Sequence, residues 1–219
     1  MAKSFEHWER EEVELTFGVE QVESLPALSE WTNAQDSIDE LDKSLVQRLQ
    51  NKLVKFYDLW NEDEIKSFFN IPLIEIVDFT ADDFVTYKTF TQRNLIGTIK
   101  DVNGKDVELN GRVELLVSKG KQKPRQPYFF FNEYKPALKG KNDPLGQLLI
   151  AMLVGEEQNH YKFPIYGVYV IGEDWRFVVL DGKKYALSKT FSAIEDDIWH
   201  ILRILKFLKE RIKVLADTK

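Results

Sequence analysis

Four consecutive aromatic residues, Tyr128 to Phe131, constrain the fold more than any other feature of this 219-residue sequence. A strand with one face in water alternates apolar and polar residues, whereas a continuous apolar run is typical of a strand that is covered on both faces. Such a strand needs a packed layer on each side of its sheet. We therefore predict a mixed α/β fold whose central sheet contains this segment and is flanked by helices.

Two segments near the N-terminus show clear periodicity. Apolar and polar residues alternate over Val13–Val19, which predicts a strand. Apolar residues then recur at spacings of three and four after a predicted helix cap at Asp36-Ser37, which indicates one face of a long amphipathic helix. The residues of this face are Ile38, Leu41, Leu45, Leu49, Leu53, Phe56 and Leu59.

The middle and the end of the chain predict short strands and two more long helices. Asn-Gly pairs at 103–104 and 110–111 supply the positive φ angles that tight hairpin turns need. An Asp-Pro pair at 143–144 is typical of a helix start, and we expect that helix to end near Gly155. The other expected elements are strands at 95–100, 107–109, 112–118 and 165–171, a hairpin at 175–187 and a helix from about 193.

The composition excludes several classes of protein. The 36 acidic residues outnumber the 30 basic ones, for a formal net charge of -6, and there is no cysteine. A disulfide scaffold, a thiol nucleophile and a thiolate zinc site are therefore excluded. The longest apolar run, Leu148–Val154, is far shorter than the ~20 residues that span a bilayer, and the N-terminus has no apolar signal segment. We expect a cytoplasmic protein that does not enter membranes.

Charged residues at the end of the aromatic strand are the strongest indication of chemistry. Residues two apart in a strand point to the same face, so Glu133 and Lys135 should lie side by side, in line with Phe129 and Phe131. If the preceding strand is a neighbour, Glu114 converges on them. Two carboxylates and water suit Mg²⁺ or Mn²⁺, and the lysine can orient or activate a water. An alternative is a salt bridge between Glu133 and Lys135, with Glu114 in water.

These segments resemble the PD-(D/E)XK nuclease superfamily, the restriction-endonuclease-like proteins, and in particular uncharacterised bacterial members. The matching positions are Glu114 in GRVELLV, Glu133-Tyr134-Lys135 in FFFNEYKP and Gln147 in DPLGQLLIAM. The resemblance implies an αβββαβ core with a central mixed sheet, over roughly residues 60–215. Residues 1–60 would add a strand and a long helix packed on the core of residues 61–219, with a C-terminal helix, in one compact domain.

The resemblance also implies roles for single residues. Glu114 and Glu133 would bind the metal, although the family usually has aspartate at the first position. Some members add a glutamate from the first core helix, for which Glu64 is favoured over Glu75. Four acid-x-Lys triplets occur in this chain, but only the one at Glu133 ends a buried-type strand. Gln147 would assist at the site, or else it lies on the solvent face of its helix.

A basic loop separates the two acid-bearing strands. Between positions 119 and 141 there are seven basic residues and one acid, whereas residues 1–40 carry eleven acids and two bases. We predict that this loop holds a phosphate backbone and that the acidic N-terminal region lies away from Glu133; a solvated lysine loop is the alternative. The predicted nucleic-acid-binding residues are Lys119, Lys121, Lys123, Arg125, Lys139 and Lys141.

Three functional hypotheses follow. The first is metal-dependent phosphodiester hydrolysis, that is, a nuclease with DNA favoured over RNA as substrate. The second is a catalytically inactive binding or structural module on the same fold. A third hypothesis is a protein-interaction domain, in which the Val13–Val19 segment or the long helix docks a partner or forms a homodimer.

Overall fold

The computed structural model describes residues 3–35, 37–80, 87–135 and 143–217, except for the side chain of Lys135. Nine strands lie in the described part of the chain, and all belong to one mixed sheet. They are β1 (Lys3–Ser4), β2 (Glu20–Gln21), β3 (Tyr87–Lys100), β4 (Asp106–Lys119), β5 (Arg125–Lys135), β6 (Ile165–Ile171), β7 (Asp174–Asp181), β8 (Lys184–Leu187) and β9 (Phe191–Ser192).

Helices cover both faces of the sheet, which confirms the predicted mixed α/β architecture. A π-helical turn, Lys66–Asn70, joins two of them, and a short 3-10 turn, Phe5–His7, precedes the first. The α-helices are α1 (Arg10–Phe17), α2 (Pro26–Thr32), α3 (Glu40–Phe56), α4 (Glu62–Ile65), α5 (Ile71–Val77), α6 (Pro144–Gln158) and α7 (Asp197–Asp217).

The aromatic strand β5 occupies the centre of the sheet, as its composition predicts. It pairs antiparallel with β4 and parallel with β6, and α6 makes the connection that a parallel pair requires. Phe130 lies in a first core, formed with α2, α3, α5 and α7, and Phe131 lies in a second core, formed with α1 and α6. A register shift opposite Ser118 turns Phe129 into the first core, so it is not in line with Phe131.

The predicted strand over Val13–Val19 is wrong, because these residues form most of α1. Val13 and Phe17 are four residues apart and are both buried, whereas Leu15 between them is 71% exposed. A strand would bury all three on one face, but a helix buries only the pair at i and i+4. Gly18 ends the helix in the left-handed conformation, at φ 64°.

Only the first Asn-Gly pair makes a turn. Asn110 and Gly111 lie inside β4, which pairs without interruption with β3 through this region. The glycine is needed for close packing, since a Cβ at this position would collide with the Phe5 ring. The helix α6 likewise continues past its expected end at Gly155 to Gln158, and a Cβ on Gly155 would lie 2.6 Å from the Phe131 ring.

The long helix α3 begins later than predicted and buries only part of the predicted apolar face. Asp39 is its N-cap and accepts a hydrogen bond from the Asp42 amide at 2.9 Å, whereas Asp36 lies outside the described residues. Val46 and Leu53 are buried, but Leu41 and Leu45 of the predicted apolar face are exposed. The C-terminal helix α7 begins at Asp197, four residues after the expected start.

The N-terminal region is part of the sheet and of both cores. The strand β1 pairs with β4 at Leu109 and Asn110, and β2 pairs with β8. The Arg10 amide donates to the Asp143 carboxylate at 2.7 Å, which fixes α1 to the start of α6. The N-terminal residues therefore pack at the end of α6 that follows β5, which contradicts the expectation that they lie away from the Glu133 end.

Candidate functional site

The strand register brings the two predicted acids to neighbouring positions. Leu115 of β4 pairs with Asn132 of β5, so the next position along this antiparallel ladder has Glu114 facing Glu133. On the other side of β4, Gln92 faces Glu114, because the flanking residues of β3 and β4 are paired. The expectation that the two acid-bearing strands are neighbours is therefore confirmed.

Glu114 forms an ion pair with a lysine that the sequence analysis did not select. The Lys66 ammonium lies 3.1 Å from the Glu114 carboxylate and 3.0 Å from that of Asp63, and the side chains of Lys66 and Glu114 are 12% and 20% exposed. Burial alone would lower the pKa of Lys66, but its hydrogen bonds to Asp63 and Glu114 outweigh burial and raise that pKa. Lys66 is therefore a cation at neutral pH.

The lysine reaches Glu114 from the helices of the first core. Lys66 opens the π-helical turn, whose neighbours Ile65 and Phe69 are buried in that core. Because Ile65 and Phe69 are four residues apart, their spacing indicates one apolar helical face at this turn. Lys66 belongs to one of the four acid-x-Lys triplets. Because this triplet lies in a helix, the sequence does not indicate that the lysine contacts the sheet.

Glu133 is almost fully buried, at 3% exposure. The Asn132 amide donates to the Tyr134 hydroxyl at 3.0 Å, and Tyr134 belongs to the first core. Glu133 stands between them and therefore points the opposite way. Its neighbour on β6 is Tyr169, which lies in the second core under α6.

Gln147 belongs to α6, the helix that covers the side of the sheet toward which Glu133 points. It is in the first turns of α6 and is buried, so the alternative of a solvent-facing glutamine is wrong. Its amide oxygen is buried without a hydrogen-bond partner in the described structure. The adjacent Gly146 packs against the backbone of Trp8 and Arg10, so the N-terminal segment covers this part of the helix.

Glu64 and Glu75, the two candidates for a glutamate from the first core helix, contact residues other than Glu114 and Glu133. Glu64 accepts a hydrogen bond from the Asn61 amide at 2.9 Å, and Asn61 accepts one from Glu64 in return, which makes a capping box at the start of α4. Glu75 is exposed and lines a surface groove between α3 and α5 with Leu45 and Arg48. Lys135 pairs through its backbone with Ile171, and its side chain lies outside the described structure.

The basic loop lies at the start of β5, whereas Glu133 lies near its end. Arg125 and Glu133 are eight residues apart on the same strand, or about 26 Å at the usual rise. The basic loop between the two acid-bearing strands therefore does not lie beside Glu133. Lys119 donates to the Ala216 carbonyl at 3.2 Å, at the end of α7. Lys139 and Lys141 lie outside the described residues.

Within 3–35, 37–80, 87–134 and 143–217, no three histidine, aspartate or glutamate side chains are grouped so that they could hold a metal ion. No helix in the described part of the chain has the length and apolar composition needed to cross a bilayer.

No protein-family model and no curated protein sequence matches this chain.

Proposed function

We propose that this chain is a binding module on a nuclease-like α/β scaffold and that it does not hydrolyse phosphodiester bonds. The observation that carries the proposal is the ion pair between Lys66 and Glu114. The carboxylate that would bind a metal already has a cationic partner. Because both side chains are largely shielded from water, the pair is screened much less than a surface pair.

The order of elements supports the nuclease-like scaffold. The helix α5 is followed by three antiparallel neighbours, β3, β4 and β5, then by α6 and by β6, which is parallel to β5. This is the αβββαβ order that the resemblance implies. Glu114 lies on the second of these strands and Glu133 on the third.

The lysine partner of Glu114 disfavours a shared Mg²⁺ or Mn²⁺ ion, although burial and the carboxylates of both Glu114 and Glu133 raise the pKa of Tyr134. Such an ion needs oxygen ligands at about 2.0–2.6 Å, so both carboxylates would have to meet at one point. Glu114 already pairs with Lys66, whereas Glu133 lies beside Tyr169 of β6. The Trp8–Arg10 segment, whose backbone packs on Gly146 of α6, also favours a closed surface on that side.

Metal-dependent hydrolysis is the second candidate function, and the strand register favours it. Glu114 and Glu133 occupy facing positions on adjacent strands, where Cβ atoms are typically about 4.5–5.5 Å apart. In that case Glu114 would have to exchange its lysine partner for an ion, and Lys135 would orient the water.

A cleavage assay separates the two candidates. Single- and double-stranded DNA and RNA would be incubated with the protein in Mg²⁺, in Mn²⁺ and in EDTA, with Glu133→Gln and Lys135→Ala as matched variants. The proposal predicts no metal-dependent cleavage by any of the three proteins. Cleavage by the wild type that both variants lose would contradict it, whereas equal cleavage by all three would indicate a contaminating nuclease.

A further inference from the structure

We infer that a groove between the β3–β4 hairpin and the β4–β5 loop binds the phosphodiester backbone of a nucleic acid. The inference rests on the proposed function, since it names what the module binds, but it involves other residues. Two adjoining pockets of about 790 and 820 Å³ form the groove. They share Gln122 and Lys123, which stand between them.

Both walls of the groove are basic. The hairpin contributes Arg93 and Arg112, and the loop contributes Lys121, Lys123 and Arg125. All five side chains are exposed, and no aspartate or glutamate lines either pocket in the described part of the chain. Five cations around one depression repel one another. A bound polyanion offsets this electrostatic repulsion and releases its own counterions.

A strained residue shapes the hairpin wall. Gln92 has φ 50° in the middle of β3, a left-handed conformation that is uncommon for a residue other than glycine. Its amide oxygen accepts a hydrogen bond from the Arg112 guanidinium, so the kinked residue fixes this arginine at the groove. Strain of this kind persists where the surrounding structure imposes it, often at ligand contacts.

The lining favours contacts with phosphate and sugar over contacts with bases. Asn94 and Gln122 add amide groups that can hydrogen-bond to phosphate oxygens. Tyr128 is the aromatic residue of the lining, and it is buried and stacked on Phe131 with ring centroids 6.1 Å apart. Since its face is not open to a base, the groove should read the backbone and not the sequence.

Fluorescence anisotropy with a labelled 20-base-pair DNA and a labelled 20-nucleotide RNA, in EDTA, tests the inference. We expect wild-type affinity to fall steeply with salt, with a log–log slope of about -3 to -4.5 for three to five neutralised phosphates on the duplex. The double variant Lys121→Glu/Lys123→Glu should bind at least tenfold more weakly at 50 mM salt. Poly-dA and poly-dT strands should bind equally.

A matched control reverses two lysines outside the groove. Lys105→Glu/Lys184→Glu changes the net charge by the same amount at exposed positions that line neither pocket, and we expect less than a threefold loss. Circular dichroism checks that both variants are folded. Equal losses in the two variants, no wild-type binding, or tighter binding to anionic lipid vesicles than to nucleic acid would each overturn the inference. Because EDTA is present, failure here is distinct from failure of the proposal on hydrolysis.

Discussion

The pairing of Glu114 with Lys66 depends on distances along the chain that no local pattern reveals. The two residues are 48 positions apart, and they meet because the π-helical turn packs onto the strand β4. The sequence predicts correctly that Glu114 lies on a strand next to that of Glu133. It does not reveal that a helical lysine supplies the partner, since a charged residue in a short acidic helix is typically solvated.

Glu156 of α6 is the residue for which pH should matter most. It is 1% exposed, and one of its oxygens accepts a hydrogen bond from the Gly182 amide at 2.7 Å while the other has no partner in the described structure. Burial raises the pKa of this carboxyl from 4.5 to about 7. The folded protein therefore holds this proton more tightly than the unfolded chain does.

The sign of the resulting pH dependence follows from linkage. Because the folded-state pKa of Glu156 is raised, its contribution is most favourable below about pH 4.5 and is lost as the pH rises through about 7. The loss amounts to about 3.5 kcal/mol at most, at about 1.4 kcal/mol per pKa unit over the shift from 4.5 to about 7. We expect Glu156→Gln to have a higher melting temperature than the wild type at pH 8 and a smaller advantage at pH 5. A difference that is the same at both pH values would contradict this account.

At the scale of elements, the contact between α1 and α6 can be tested at one glycine. Gly146 lies in the first turn of α6, and a Cβ there would meet the Trp8 carbonyl and lie 2.6 Å from the Arg10 amide nitrogen. Glycine to alanine in a helix normally stabilises by about 0.5–1 kcal/mol. We expect Gly146→Ala instead to destabilise by about 1–3 kcal/mol, because backbone atoms must move.

Two measurements check this prediction. Urea denaturation gives the change in free energy of unfolding. Hydrogen exchange compares the variant with the wild type, and the substitution should speed the exchange of α1 amides more than that of α7 amides. A stabilised variant, or unchanged exchange in α1, would show that the N-terminal segment is not packed on α6.

The wrong predictions of secondary structure share one cause, which is that tertiary packing overrides a local pattern. Val13, Leu15 and Phe17 alternate as in a strand, but Val13 and Phe17 also satisfy the helical spacing of four, and tertiary packing decides between the two. In the same way, the Asn-Gly pair at 110–111 fits a turn locally, although the glycine serves close packing under Phe5. The helix α6, which has a cap of its own at Asp143, begins where the sequence predicts.

At the scale of the whole molecule, the charges separate along α6. The first turn of this helix packs on the acidic N-terminal region, and Asn159 at its other end exchanges hydrogen bonds of 2.8 and 2.6 Å with the Tyr128 backbone, next to the basic loop. The helix has 15 residues, or about 22 Å. A polyanion would therefore be attracted to the loop end and repelled from the other, which the net charge of -6 conceals.

The central claim is that Glu114 belongs to an ion pair and not to a metal site, and a metal titration of the melting temperature tests it most directly. An ion that binds only the folded protein raises its stability by about 2.7 kcal/mol at 100 times the dissociation constant. We predict that 10 mM Mg²⁺ or 1 mM Mn²⁺ leaves the melting temperature of the wild type unchanged at constant ionic strength. A saturable rise that both Glu114→Gln and Glu133→Gln abolish would contradict the account.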